Sequence, residues 1–270
     1  MVSAFALPGP ALLFCPADRP ERYGKALERA DAAIIDLEDA VAPADKAGAR
    51  SHLIDTELPA ERVIVRINAL DTADAAPDLA SVQETAYRTV MVAKAEDPEL
   101  VAALDPQLRI IALCETARGV VEAERLAALP NVVGLMWGAE DLVASLGGTS
   151  SRRRTGRYRD VARAARARVL LAAGAFGKAA IDAVHLDIAD LKGLRREARD
   201  AAASGFAATA CIHPGQVQVI RDAYRPDPET VVWAQRVLDA AAGERGVFRF
   251  EGRMVDEPVL RHARSVLRRA

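Results

Sequence analysis

The chain has 270 residues, 51% of them hydrophobic and 27% charged, an ordinary globular balance with room for a large core in one or two domains. Its formal net charge of −2 gives no bulk attraction for nucleic acid. No apolar run approaches the roughly 18 residues of a membrane span.

The segment from Met1 to Pro10 has no basic residue ahead of its apolar part and does not read as a signal peptide. Ala11–Cys15 predicts a first strand and Pro20–Ala30 a first helix, with Pro near its start as helices tolerate. Next comes Ala33–Leu37, an apolar run that ends in three carboxylates, Asp36, Glu38 and Asp39. Strand alternation puts Asp36 and Glu38 on one face and Asp39 on the other. Such a group resists burial unless a metal, an arginine or a catalytic task compensates it; the competing reading is a strand end that meets solvent. A helix over Pro43–Leu53 leads to a third strand, Arg62–Ile67. Further strands are predicted at Thr89–Ala93, Leu108–Cys114, Val132–Trp137, Ala183–Leu186 and Ala208–Ile212. Helical patterns follow them: Asp78–Tyr87, Pro98–Leu104, Gly119–Leu129, an Ala/Arg helix running to Gly177 after the polar loop Gly147–Arg157, and Leu191–Ser204. Cys15, Cys114 and Cys211 lie in or beside strand runs and read as buried thiols of a reducing compartment, so the expectation is a soluble cytoplasmic protein.

Strict alternation of apolar strands and helices implies parallel strands, and eight such units predict an α/β fold, a (β/α)8 TIM barrel over residues 1–223. The competing architecture is a doubly wound open sheet, but Cys15-Pro16-Ala17-Asp18 carries no glycine-rich dinucleotide fingerprint. Residues 224–270 hold two helical patterns around Gly246–Gly252: a C-terminal helical extension, too short for a domain and long enough to reach a neighbouring subunit.

Barrel chemistry sits at the C-terminal ends of the strands. Those ends carry Asp18, Arg19, Asp36, Glu38, Asp39, Arg66, Asn68, Lys94, Glu115, Glu140, Asp141, Asp187 and His213. An acid-rich ring with few cations suggests a hard divalent ion with oxygen ligands, Mg2+ by default, since it needs only one or two carboxylates. No His-Glu-x-x-His or Cys-x-x-Cys points to zinc, and no Gly-x-Ser-x-Gly elbow points to a serine hydrolase. Gly174–Lys178 lacks both the glycine spacing and the Ser/Thr of a phosphate loop. Lys94 reads as an ion-pair partner for the acids, with a Schiff-base lysine as the rival. The basic run Arg152-Arg153-Arg154 reads as a solvated face, with a phosphate contact as the rival. His213 reads as structural, and His52, His185 and His262 receive no role.

Seven stretches in order carry a resemblance: Leu13-Phe14-Cys15-Pro16-Ala17-Asp18-Arg19-Pro20-Glu21-Arg22, Asp36-Leu37-Glu38-Asp39-Ala40-Val41, Val65-Arg66-Ile67-Asn68, Glu115-Thr116-Ala117-Arg118-Gly119, Gly138-Ala139-Glu140-Asp141-Leu142, Cys211-Ile212-His213-Pro214 and Gly252-Arg253-Met254-Val255-Asp256. Together they resemble the citrate lyase beta-subunit-like proteins of the HpcH/HpaI aldolase superfamily, which includes malyl-CoA and citramalyl-CoA lyases. The resemblance implies a Mg2+-dependent carbon–carbon lyase acting on a 3-hydroxyacyl-CoA such as citramalyl-CoA, malyl-CoA or citryl-CoA. It implies Glu115 and Asp141 as metal ligands and Arg66 as the group that holds the substrate's oxygens. Phe14, Arg19 and Lys25 fall where the family contacts CoA. Asp36, Glu38 and Asp39 fall near the metal, where they bind its waters and orient Arg66. Asp256 matches an acid donated in trans for proton transfer, which requires an oligomer, a homotrimer or homohexamer. Alternatives within the same resemblance are a metal aldolase on free 2-oxo acids and a beta subunit that works only in a larger lyase complex. Two positions depart from the pattern: Ala17 stands where the family usually has Gly, and Ala93 where it usually has Pro.

Overall fold

The computed structural model describes residues 5–244 and 246–270; Met1 to Ala4, part of the segment read above for a leader, lie outside the described residues. The chain divides into two compact units, Met1–Ile220 and Arg221–Ala270. The first is a closed barrel of eight parallel strands in sequence order. Its elements are β1 (Ala11–Pro16), α1 (Tyr23–Arg29), β2 (Ala32–Asp36), α2 (Lys46–Asp55), β3 (Val63–Ile67), α3 (Ala75–Gln83), β4 (Thr89–Val92), α4 (Pro98–Ala102) and β5 (Arg109–Cys114). Then follow α5 (Ala117–Ala127), β6 (Val132–Trp137), α6 (Ala139–Ser145), α7 (Asp160–Ala175), β7 (Ala179–Asp182), α8 (Leu191–Ser204), β8 (Ala208–Cys211) and α9 (Pro214–Tyr224). The predicted barrel is therefore the observed one.

The barrel is a packed core. Inward positions alternate along each strand, and Leu12, Ile34, Ile64, Met91, Ile111, Leu113, Met136 and Ile181 form one buried cluster inside it. The outward positions of the same strands are buried under the helices, so the strands read as continuous apolar runs. Helix starts follow ordinary capping chemistry: Thr116, Asp190 and Asp97 each accept a backbone N–H of the first turn of α5, α8 and α4.

The prediction fails at two elements of the barrel. The seventh strand is Ala179–Asp182, four residues ahead of the predicted Ala183–Leu186. The β-branched and aliphatic run Ala183-Val184-His185-Leu186 attracts a strand assignment, whereas Ala-Ala-Ile-Asp has low strand propensity and is held by its barrel neighbours. The short helix α6 was not predicted, because its first turn coincides with the Glu140-Asp141 motif. All three cysteines are buried, and burial pushes the Cys15 thiol up to about 11 and that of Cys114 to about 12. Ala17 is not among the positive-φ residues, so the turn after β1 has no need of the family's glycine. No helix among the described residues is long and apolar enough to cross a membrane.

The second unit holds α10 (Pro228–Ala241), an antiparallel hairpin of β9 (Phe248–Phe250) and β10 (Arg253–Val255), and α11 (Glu257–Leu267). Ala234, Val237, Val255, Ala263 and Val266 form its core. The sequence reading found the helices and missed the hairpin. Its signal was the two-residue turn Glu251-Gly252, both at positive φ (46° and 79°), between short alternating runs.

Candidate active site

Inward alternation continues past the last apolar layer and replaces hydrocarbon with charge. Ile34 is followed on its face by Asp36, Ile64 by Arg66, and Leu113 by Glu115. Asp36 and Arg66 are register partners on adjacent strands, so their side chains meet. Arg66 donates from Nε to Asp36 Oδ1 (2.7 Å) and from Nη2 to Asp36 Oδ2 (2.6 Å), a planar fork that only guanidinium offers. Its third nitrogen, Nη1, stands 3.0 Å from Glu38 Oε2 without the alignment of a hydrogen bond. The guanidinium carbon lies 4.9 Å over the Phe14 ring. Asp36 is 1% exposed and also accepts the Glu38 and Ala40 amides, so its position is overdetermined.

Lys94 closes the acidic side. Its ammonium pairs with Glu38, with Asp39 at 3.1 Å and with Asp141 at 3.6 Å. This is the ion-pair reading of that lysine. Its backbone is left-handed (φ 47°), a strained conformation for a lysine, and in that pose its N–H reaches Glu115 Oε1 at 3.1 Å. Burial works against the charge of Lys94, but Glu38 outweighs it and its pKa rises. Burial also pushes the Glu38 carboxyl up, against Arg66 and Lys94; at the exposed Asp39 the upward push of desolvation is outweighed by hydrogen bonds with Glu38 and Lys94, which carry it below the usual range.

Glu115 is 3% exposed. Burial, reinforced by Asp141 and Glu38 and opposed by Arg66, raises its pKa to about 8. Gly138, at the start of α6, makes room for it: a Cβ there would lie 2.7 Å from Glu115 Cβ and 2.9 Å from Oε2. Gly138 sits at φ −128°, which alanine tolerates, so Gly138→Ala is a purely spatial test. It is expected to displace Glu115, costing about 1–3 kcal/mol of stability by overpacking and most of the activity; thermal melts and turnover of the purified variant check both.

Asp36, Arg66, Glu115, Gly138 and Asp141 line one cavity of about 330 Å³ at the C-terminal mouth of the barrel. Its lining combines charged side chains, Asp36, Arg66, Glu115, Glu140 and Asp141, with apolar ones, Leu113, Met136, Val184, Leu186 and Ile212. Phe14 lies on its rim. Arg19 and Lys25 are exposed on the segment after β1, Arg19 loosely paired with Asp18 at 3.6 Å. Among the described residues no group of three or more His, Cys, Asp or Glu forms a closed metal cage.

Several predicted strand-end residues do other work. Asn68 is a buried brace between Lys46 Nζ (2.8 Å), the Leu37 carbonyl (3.0 Å) and Asp78 (2.6 Å). Asp187 is exposed and turns back to the Ala189 amide, because the strand it was assigned to ends at Asp182. His213 is exposed and accepts the Gly215 amide. Asp256 belongs to the second unit, where it caps α11 through the Val259 amide at 3.3 Å.

The profile described as HpcH/HpaI aldolase/citrate lyase matches residues 11–214, from β1 to the start of α9. The chain belongs to this family. It is 60% identical over 262 residues to the citrate lyase subunit beta-like protein of Mycobacterium tuberculosis, spanning 97% of this chain and 96% of that one. A crystal structure of protein CitE from the same organism, in complex with magnesium, acetoacetate and coenzyme A, superposes with a TM-score of 0.92 at 60% identity, over 97% of this chain and 98% of that one. The mitochondrial citramalyl-CoA lyase of Homo sapiens is 30% identical over 294 residues, covering 97% of this chain and 85% of its own. Membership makes the chain a lyase of the HpcH/HpaI aldolase/citrate lyase group.

Proposed function

We propose that the protein is a Mg2+-dependent carbon–carbon lyase that cleaves, or in reverse condenses, a 3-hydroxyacyl-CoA of the citramalyl-, malyl- or citryl-CoA type. The observation that carries this reading is the Asp36–Arg66 fork beside buried Glu115 in a cavity lined by both charged and apolar side chains. The likeness to a structure holding magnesium and coenzyme A and to a citramalyl-CoA lyase supports it. The donor set suits the ion: two carboxylates, Glu115 and Asp141, share a cavity open to water and substrate oxygens, and Mg2+ asks for no more.

The reaction is a retro-aldol cleavage. The C3 hydroxyl loses its proton and the C2–C3 bond breaks. A 2-oxo acid leaves, and the remaining thioester enolate takes a proton at C2 to become acetyl-CoA. Mg2+ held by Glu115 and Asp141 supplies a Lewis acid for charge on the substrate's oxygens. Arg66 presents Nη1 to a carboxylate or enolate oxygen while Asp36 fixes its plane. Phe14, Arg19 and Lys25 bind the CoA part. Asp39 and Glu38 neutralise Lys94 beside the site. Asp256 of a neighbouring subunit moves the proton at C2, so the working form is a homotrimer or homohexamer and the C-terminal segment is shared between subunits.

Purified protein with Mg2+ is tested for acetyl-CoA and 2-oxo acid release from citramalyl-CoA, malyl-CoA and citryl-CoA, with pyruvate plus an aldehyde as the comparison. Turnover of the last pair alone would replace the reading with a free-acid aldolase. No turnover without added subunits would replace it with a dependent beta subunit, and free CoA without carbon–carbon cleavage with a thioesterase. Asp256→Asn isolates the acid: asparagine caps a helix as well as aspartate does. The variant is expected to keep its melting temperature and lose about 10²–10⁴-fold in kcat, the usual range for removing a proton-transfer group.

A further inference from the structure

Three turns build the β6–β8 side of the cavity: Gly138–Asp141, Ala183–Leu186, and the chain at Ile212. Leu186 is 50% and Ile212 36% exposed, so packing alone does not hold this wall. A polar chain behind it does. Ser151, buried, donates from Oγ to Glu140 Oε1 at 2.5 Å. The next residue, Arg152, donates from Nη1 and Nη2 to both oxygens of Glu197 on α8 (2.5 and 3.1 Å). Its guanidinium lies 3.8 Å over the Tyr158 ring, and Tyr158 meets Trp137 of β6 edge-on at 5.2 Å. Glu197 Oε2 also holds His185 Nδ1 at 2.8 Å, and His185 Nε2 stands 3.5 Å from Asp190 Oδ2. His185 lies between Val184 and Leu186 of the wall, and its carbonyl accepts from Gln216 Nε2 at 2.8 Å. Gln216, fully buried, uses its Oε1 to accept the amides of Ile212 (3.1 Å) and His213 (3.2 Å). One continuous chain thus ties the three turns together, and neither Arg152 nor Glu197 lines the cavity.

We propose that Arg152 and Glu197 are positioning residues for the lyase reaction: their bidentate pair sets the place of the apolar wall, and through Ser151 that of the Glu140 turn, against the acyl part of the substrate. The basic loop is therefore neither a solvated face nor a phosphate contact at Arg152. Lysine cannot reproduce a bidentate, ring-stacked guanidinium. This role rests on the acyl-CoA reading of the cavity.

Arg152→Met and Arg152→Lys are compared with Arg166→Met, which breaks a bidentate pair of the same kind, Arg166 to Asp182 (2.9 Å twice), between α7 and β7. Both Arg152 variants are expected to lose about 10–100-fold in kcat/KM on citramalyl-CoA, chiefly through KM, as misplaced substrate contacts do. Amide hydrogen exchange at Ile212 and His213 should speed up by about tenfold. Arg166→Met should lower the melting temperature comparably and leave both readouts within about threefold of wild type. Wild-type kcat/KM in Arg152→Met, or an equal loss in Arg166→Met, would overturn the proposal by showing a merely structural pair. If Arg152→Met does not fold, Glu197→Gln, which keeps the side chain's size, carries the same two readouts. The exchange measurement needs no substrate: faster exchange in a protein inactive on every acyl-CoA would remove the substrate reading and leave the brace, whereas unchanged exchange removes the brace alone.

Discussion

Arg66→Lys is expected to lower kcat/KM by about 10³-fold, roughly 4 kcal/mol of transition-state stabilisation. The substitution keeps the charge and removes the fork. Lysine has one nitrogen where arginine uses three: two anchor on Asp36 and the third, Nη1, stands 3.0 Å from Glu38. An ammonium is a single point: placed to pair with Asp36, which is 1% exposed, it cannot also hold the position of Nη1, and turned to substrate it leaves a buried carboxylate without its countercharge. Steady-state kinetics with the acyl-CoA thioester check the loss, and a melt separates it from unfolding. Activity within about tenfold of wild type would mean that the fork is structural and that substrate oxygens are held elsewhere.

Glu115→Gln is expected to abolish divalent-cation binding, followed with Mn2+ by electron paramagnetic resonance, and with it turnover by at least about 10³-fold. The same carboxyl predicts a pH dependence of stability. Its pKa is raised from 4.5 in the free group to about 8 by burial, so the folded, metal-free protein holds a proton that the unfolded chain releases. That contribution is complete below pH 4.5 and is lost as pH rises to about 8. Melting temperatures of metal-free protein should therefore fall across this window more steeply in the wild type than in Glu115→Gln. By the same linkage, loading Mg2+ at pH 7 should release protons, visible calorimetrically as heats that vary with the buffer.

The barrel was legible because its two periodicities do not interfere: eight apolar strand runs alternate with helical patterns, and each strand's parity points up to its functional end. Asp36, Arg66 and Glu115 follow from that parity, since each stands two residues beyond an inward apolar side chain. Where local propensity opposes tertiary placement, the reading slips. Ala179–Asp182 is a strand by virtue of its neighbours, and its displacement sent Asp187 to a rim it does not occupy. The partners of Arg152 were illegible for another reason: Glu197 lies 45 residues away on a helix with no spacing motif to announce it. The left-handed Lys94 carried no sequence sign either, because nothing but the fold forces a lysine there.

The charged layer of Asp36, Arg66 and Glu115 is the topmost course of the same column of side chains that fills the barrel. Leucine or isoleucine at these positions would extend the interior by one more course and exchange buried charge for dispersion contacts. A search for thermostable variants would therefore be drawn to these very positions and would return durable, inert proteins. For engineering, this column has a ceiling: hardening must stop one course short of the mouth, at Ile34, Ile64 and Leu113, and be sought instead among the helices outside.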